Sequence, residues 1–499
     1  MTVSIASRLL VVLFLFQSRI AITEAQELGN ITFPNSGSEE AQADFLMGVK
    51  ALHSFQFDEA RFAFERAQKI DPSFALAYWG QAMSDNHPLW AQQDMDAASA
   101  ALNKLAPTFE ARHARAETEK ERAFLSAVEI LYFSPGEKLQ RDFAYSEHMA
   151  RMHERWPEDD EVSIFYALSL LGTVRPGDQG YRRQAVAASI SQAVFARNEQ
   201  HPGAAHFIIH SFDDPDHAIL ALPAATVYAE IAPAAAHALH MPSHIFLQLG
   251  MWQDVVNSNI DAYDAAVTVI NKYGLDEGRE DFHTLSWLAY ANLMLGQFDQ
   301  ASENLDHARA TLDRNPDSGR VHSGYLNMRG RHILETGQWE DLELSAPGTT
   351  EGNHANWVSV VGMSAAHLGN SEGASAAVAR LAMIRERMGA AGRVYDAKKV
   401  SILEKEVIAV LSLVNGDEQR AIDIAREAAE IEMQEMKAPS GPPDPMKPAV
   451  ELYADILLAT NRPVEALAAY ERSLQWIPQR TPSLMGLEKA AAEAGHTSL

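Results

Sequence analysis

Seven of the 19 histidines in this 499-residue chain lie between His201 and His244. Six of them come in two bursts. The first is "HPGAAHFIIHSFDD", with His206 and His210 four residues apart, and the second is "AHALHMPSHIF", with His237, His240 and His244. Residues four apart share one face of a helix. Neutral imidazole is a ligand for Zn, Cu, Ni and Fe. Packed helices lie about 8–10 Å apart, so facing pairs can share one ion. The expected metal ligands are therefore His206, His210, His240 and His244, with His237 and His283 as auxiliary ligands or acid–base groups. No Glu follows the first His of either pair, so this is not the His-Glu-x-x-His arrangement of metalloproteases.

Two other readings of the cluster stay open: a metal-free histidine site for an anionic or polar ligand, and a structural hydrogen-bond cluster. Asp213, Asp214 and Asp281 stand nearby as ligands, as partners of the ligating imidazoles, or as helix caps. For Asp214 the following Pro215 favours a cap. Pro242 must either kink its helix or start it, in which case His240 falls in the loop before. A second candidate is "AYWGQAMSDNHPLW", where Trp79, Asn86 and His87 line a ligand groove or, on the blander reading, form a core Trp and a turn. His53, His113, His148, His153, His307, His332, His367 and His496 are scattered and read as ordinary.

The elements that must hold these residues are legible as a repeat. "FLMGVKALHSFQFDEARFAFERAQKIDP" has Gly48 where two helices touch, then Ala60, Phe64 and Ala67 spaced for a packed second helix, then Pro72. Related units follow, such as "LMLGQFDQASENLDHARATLDRNP" and "LATNRPVEALAAYERSLQWIP". Gly250, Gly296, Gly337, Gly369 and Gly416 mark the turn between paired helices, 32 to 47 residues apart. Each pair is too small to bury its own apolar face and must stack on its neighbours. This pattern resembles the tetratricopeptide repeat from about residue 41 to 490, and the expected fold is an all-α solenoid of irregular repeats in a single superhelical array. The expected domains are repeats over 41–200, a His-rich centre over 201–300, and repeats over 301–499 interrupted by the Pro-rich loop 437–448.

In that repeat's register, His237, His240 and His244 take positions 2, 5 and 9 of a first helix and His283 position 2 of the next, while His206 and His210 take positions 5 and 9 of the one before when counted back from Pro233 and shift by three when counted forward from Pro202. The resemblance implies that these positions face the concave groove. "HPGAAHFIIHSFDDPDHA", "ALHMPSHIFLQLGMW" and "SGPPDPMKPAVELYADILL" further resemble segments of exported bacterial tetratricopeptide-repeat proteins. That likeness implies the fold and marks these residues, and it names no reaction.

Composition narrows the partners. The formal net charge is −26 and no long basic run occurs, which excludes nucleic acid as a partner. The chain has no Cys, so thiolate catalysis, disulfides and Cys-ligated metals are excluded. Arg8, the apolar run Leu9–Phe16 and small residues at Thr23 and Ala25 read as a signal peptide over 1–25, followed by a flexible leader over 26–40. The mature chain is then exported, periplasmic or extracellular, with no transmembrane segment. The function this reading expects is an exported repeat protein with a divalent transition metal (Zn, Cu, Fe or Ni) on its histidines. It would be a metalloenzyme acting on a small molecule if a coordination position stays open. The alternative is a non-catalytic scaffold holding a peptide or protein in its groove.

Overall fold

The computed structural model describes residues 28–175, 178, 180–346 and 348–495. The segment read as an export signal lies outside them. The described chain is all-helical apart from one two-residue hairpin, Asn86–His87 paired with Gln92–Gln93. None of its helices is long and apolar enough to cross a membrane. Two compact units form. Unit one is described over 28–175, 180–212 and 221–242, and unit two over 178, 213–220, 243–346 and 348–495.

Unit one contains α1 (Gln42–His53), α2 (Phe57–Ile70), α3 (Ala75–Met83), α4 (Met95–Leu105), α5 (Phe109–His113), α6 (Glu119–Phe133), α7 (Lys138–Arg155), α8 (Asp160–Gly172), α9 (Arg182–Arg197), α10 (Pro202–Ser211), α11 (Leu222–Ile231) and α12 (Ala236–His240). The expected small–aromatic–small series packs as the repeat requires. Ala60, Phe64 and Ala67 are fully buried. A Cβ on Gly48 or Gly80 would come within 2.7 Å and 2.3 Å of the Phe64 ring, so only glycine admits the phenyl between α1 and α3. Helix starts are fixed locally: Thr118 and Glu121 form a reciprocal cap on α6, and Asp159 accepts from Val162 N on α8. The stack also closes on itself, because α10 packs against α1 as well as α8 and α9.

The leader differs from the expected flexible segment. Phe33 is buried and packs against Phe45, Trp79 and Phe124 with ring centres 5.1–5.8 Å apart. Asn30 N donates to Gln200 O at 2.8 Å. Three apolar residues in an otherwise polar stretch, Leu28, Ile31 and Phe33, are enough to anchor it.

Unit two contains α13, which runs Pro242–Gln248 and so begins at the division, then α14 (Trp252–Tyr273), α15 (Phe282–Met294), α16 (Phe298–Arg314), α17 (Gly319–Thr336), α18 (Glu351–His367), α19 (Ser371–Ala390), α20 (Val394–Val414), α21 (Glu418–Glu435), α22 (Ala449–Ala459), α23 (Pro463–Trp476) and α24 (Thr481–Glu493). Each helix from α14 on packs on the next, and alternate helices α15–α17, α18–α20, α20–α22 and α22–α24 touch, which is the contact pattern of a solenoid of helix pairs. Arg480, wholly buried between α23 and α24, donates to Glu451, Glu335 and Tyr290, tying the last turn of this unit to α22, α17 and α15.

The Pro-rich loop packs against α13, α15, α18 and α20. Gln248 donates to Pro439 O at 2.8 Å, and Gly441 sits against Trp287 so closely that a Cβ would meet the indole at 2.5 Å. Asp444 accepts from Asn356 at 3.0 Å and from Lys399 at 2.7 Å.

Candidate functional site

The site grows from two short helices in unit one. His201 caps α10, with its Nδ1 accepting the Ala204 N–H at 3.2 Å, and Pro202 opens the first turn. The helix then sets His206 and His210 one turn apart, with ring centres 4.7 Å apart. The helix α12 delivers His237, whose Nε2 lies 3.1 Å from His206 Nε2. One ligand atom from each of His206, His210 and His237 lies within 4.8 Å of the other two.

Protonation follows from the hydrogen bonds. His206 Nδ1 lies 2.6 Å from His53 O. A carbonyl only accepts, so Nδ1 carries the proton and Nε2 presents a lone pair to the cluster. This is the orientation that metal-ligating histidines adopt, with the second nitrogen donating to a carbonyl or carboxylate. Two nitrogens each about 2.0–2.1 Å from a tetrahedral ion sit roughly 3.3 Å apart, close to the separation seen here. Burial pushes the His206 imidazole well below its ordinary range, and the neighbouring His210 and His237 push it further. The group is neutral at pH 7, as a ligand must be.

The walls are aromatic. Tyr228 stacks on His206 at 5.2 Å, and its hydroxyl donates to Ser54 at 3.3 Å. The Phe55 ring centre lies 4.4 Å from His206, 5.8 Å from His210 and 5.3 Å from His237. Phe55 has φ of +53°, a left-handed backbone that bulky side chains avoid. It stands at the turn of the first helix pair, where Gly250, Gly296, Gly337, Gly369 and Gly416 stand in later pairs, all with positive φ. The sequence carries the signal, since "SFQFDEA" aligns with "LGQFDQA" with Phe55 in place of Gly296.

The remaining expected ligands fall elsewhere. His240 ends α12 and is buried, its ring centre 6.4 Å from that of His237. His244 and His283 belong to unit two, 6.4 Å apart ring to ring and both against Trp287, and His244 Nδ1 lies 2.7 Å from Asp213 Oδ2. The division between units falls between Pro242 and Ser243, inside the second histidine burst. At Pro242 the helix is interrupted rather than bent smoothly: α12 stops at His240, Met241 bridges with helical φ and ψ, and α13 begins at Pro242. Asp214 is a cap, accepting from Asp216 N and His217 N, and Asp281 caps α15.

The residues of the second candidate separate. Trp79 is fully buried among Phe33, Phe124 and Phe165, out of reach of a ligand in an open groove. His87 stacks on Phe57 at 3.9 Å. Asn86 lines a narrow, mostly apolar cavity of about 20 Å³ with Phe55, Tyr145 and Leu168, which has room for about one water.

No family model matches the chain, and no curated protein matches it. Solved structures similar to it include yeast Tom70 (10% identity, 92% of this chain and 89% of that chain covered, TM-score 0.33). Others are the Cut9–Hcn1 hetero-tetramer of APC/C (13%, 96% and 81%, 0.35) and a human IFIT1 dimer with PPP-AAAA (11%, 91% and 91%, 0.38).

Proposed function

We propose that the chain is an exported TPR-like protein that binds a divalent transition metal, Zn, Cu, Fe or Ni, on His206, His210 and His237 of unit one. The observation that supports this most is the 3.1 Å approach of the His206 and His237 Nε2 atoms, with His206 Nδ1 committed to a carbonyl. Three imidazoles leave a coordination position for water or substrate, the ligand count of catalytic rather than structural zinc sites. Such an ion lowers the pKa of bound water and polarises a carbonyl or phosphoryl oxygen, so metal-assisted hydrolysis of a small molecule is the reaction class this donor set serves. His210 and His237, half-buried, stand on the accessible side.

The scaffold reading is the runner-up. In unit two, loop 437–448 already occupies Asn356 and Lys399, so a peptide partner there would have to displace Asp444 from them. Elemental analysis of protein purified without chelator or affinity nickel decides between them. The His206→Ala/His237→Ala variant should hold one ion fewer per chain than the wild type. Equal metal content in folded wild type and variant would overturn the metal reading.

A further inference from the structure

His53, at the end of α1, Glu161, in the first turn of α8, and His201, the cap of α10, meet where unit one closes. None of the three side chains has more than 1% exposure. Glu161 Oε2 lies 2.8 Å from His53 Nε2, and Oε1 lies 3.3 Å from His201 Nε2. The donor set looks like a metal site, but the tautomers exclude it. His201 Nδ1 accepts a backbone N–H, so a neutral His201 carries its proton on Nε2 and offers no lone pair to an ion. His53 Nδ1 has no hydrogen-bond partner and faces Gly203, where a Cβ would approach it to 2.7 Å, so the His53 proton also belongs on Nε2. His53 therefore donates to Glu161 Oε2, and the His201 Nε2–H stands 3.3 Å from Oε1 without a hydrogen bond to it. Burial raises the Glu161 carboxyl, but its two histidine neighbours outweigh this and hold it down to about 2.

The result is a buried anion that no Lys or Arg among the described residues pairs with. Such a charge is expensive unless a cation stands close behind its partners. What stands behind is the histidine centre. The His53 ring is pinned by Glu161 and walled by Phe165 at 5.0 Å and Phe207 at 6.1 Å, while its carbonyl receives the His206 Nδ1 proton at 2.6 Å. One residue thus carries Glu161 on its side chain and the first metal ligand on its backbone.

We propose that Glu161 is the buried counter-charge of the His206–His210–His237 centre and, through His53, its positioning residue; this rests on that centre being a metal site. Neither residue touches the ion. Glu161 balances the charge that binding brings into unit one, and His53 fixes the tautomer and aim of His206. The apo protein then carries an unbalanced anion, and metal binding removes that imbalance.

The test compares wild type, Glu161→Gln and Glu161→Asp, each stripped and reloaded with Co(II). Affinity is measured by competition with a chelator, ligand geometry by the Co(II) visible spectrum, and fold by the thermal midpoint of the apo forms. Glu161→Gln should bind Co(II) about 10- to 100-fold more weakly, the range for lost supporting partners, while its apo midpoint is no lower than wild type. Glu161→Asp keeps the charge, so it should recover most of the affinity with a shifted spectrum. Unchanged affinity in Glu161→Gln overturns the proposal, and so does weakening that merely follows a fall in the apo midpoint. Should Glu161→Gln not fold, wild-type affinity and spectrum in Glu161→Asp overturn it. A wild type that binds no Co(II) overturns the centre itself, an outcome visible without any variant.

Discussion

At the scale of single residues, the centre depends on side chains held in unusual states. His206 is neutral because burial and two neighbouring imidazoles oppose its charge. Its folded pKa lies below the 6.5 usual for histidine. Below that value the unfolded chain binds the proton that the folded chain refuses, so stability falls as pH drops through about 6. Urea midpoints of the apo protein should decline from pH 7 to pH 5, and His206→Gln should flatten that decline. Phe55 is the second case. A left-handed backbone costs an L-residue roughly 1–2 kcal/mol, and the phenyl recovers this by covering three imidazoles. Phe55→Gly should leave stability nearly unchanged, because relief of the backbone offsets lost packing. It should also lose metal to a chelator about tenfold faster, since the apolar shell limits solvent access. A large fall in stability with metal retention intact would show that Phe55 serves packing alone.

At the scale of helices, the repeat's own packing rule sets the position of the site. Gly48 and Gly80 let α1 and α3 close on Phe64, and α1 carries His53 and leads into Phe55. Gly80→Ala places a Cβ 2.3 Å from that ring and should destabilise by about 1–3 kcal/mol through overpacking. Adding Phe64→Leu should recover part of the loss, and chemical denaturation of the single and double variants measures the coupling. The interruption at Met241–Pro242 acts at the same scale. Pro242 removes a backbone donor after His240, and α12 ends at His240 while α13 begins at Pro242.

At the scale of the whole molecule, each unit joins its late helices to its early ones through buried charge. In unit two the tie is Arg480 with Glu335 and Glu451. Arg480→Met leaves the buried Glu335 without its ion-pair partner and Glu451 with Lys447 alone, and should cost roughly 3–5 kcal/mol. Hydrogen exchange should show the loss of protection spread over α15, α17, α22 and α24, and a loss confined to α24 alone would contradict it. Glu432 in the same unit is pushed up to about 7, first by burial and further by Glu451. It holds a proton when folded that the unfolded chain has already released, so its contribution is lost as pH rises from about 4.5 through 7. The unit-two and unit-one trends with pH therefore run in opposite directions, and exchange rates resolved by unit should separate them.

The sequence alone determined what is local and periodic: the helix pairs, their glycine turns, the absence of Cys chemistry, and the histidine-rich stretch as the place to look. These are readable because repeat packing imposes fixed spacings on neighbouring residues. It also put His206 and His210 on one face, since that relation needs only an unbroken helix. Only the tertiary structure decided which imidazoles meet. His237 joins the pair, while His244 Nδ1 lies against Asp213. The closure of α10 onto α1 brings His53 and Glu161, more than 100 residues apart in sequence, behind His206. No spacing rule encodes that contact, since it follows from how many helix pairs intervene and how far each turns.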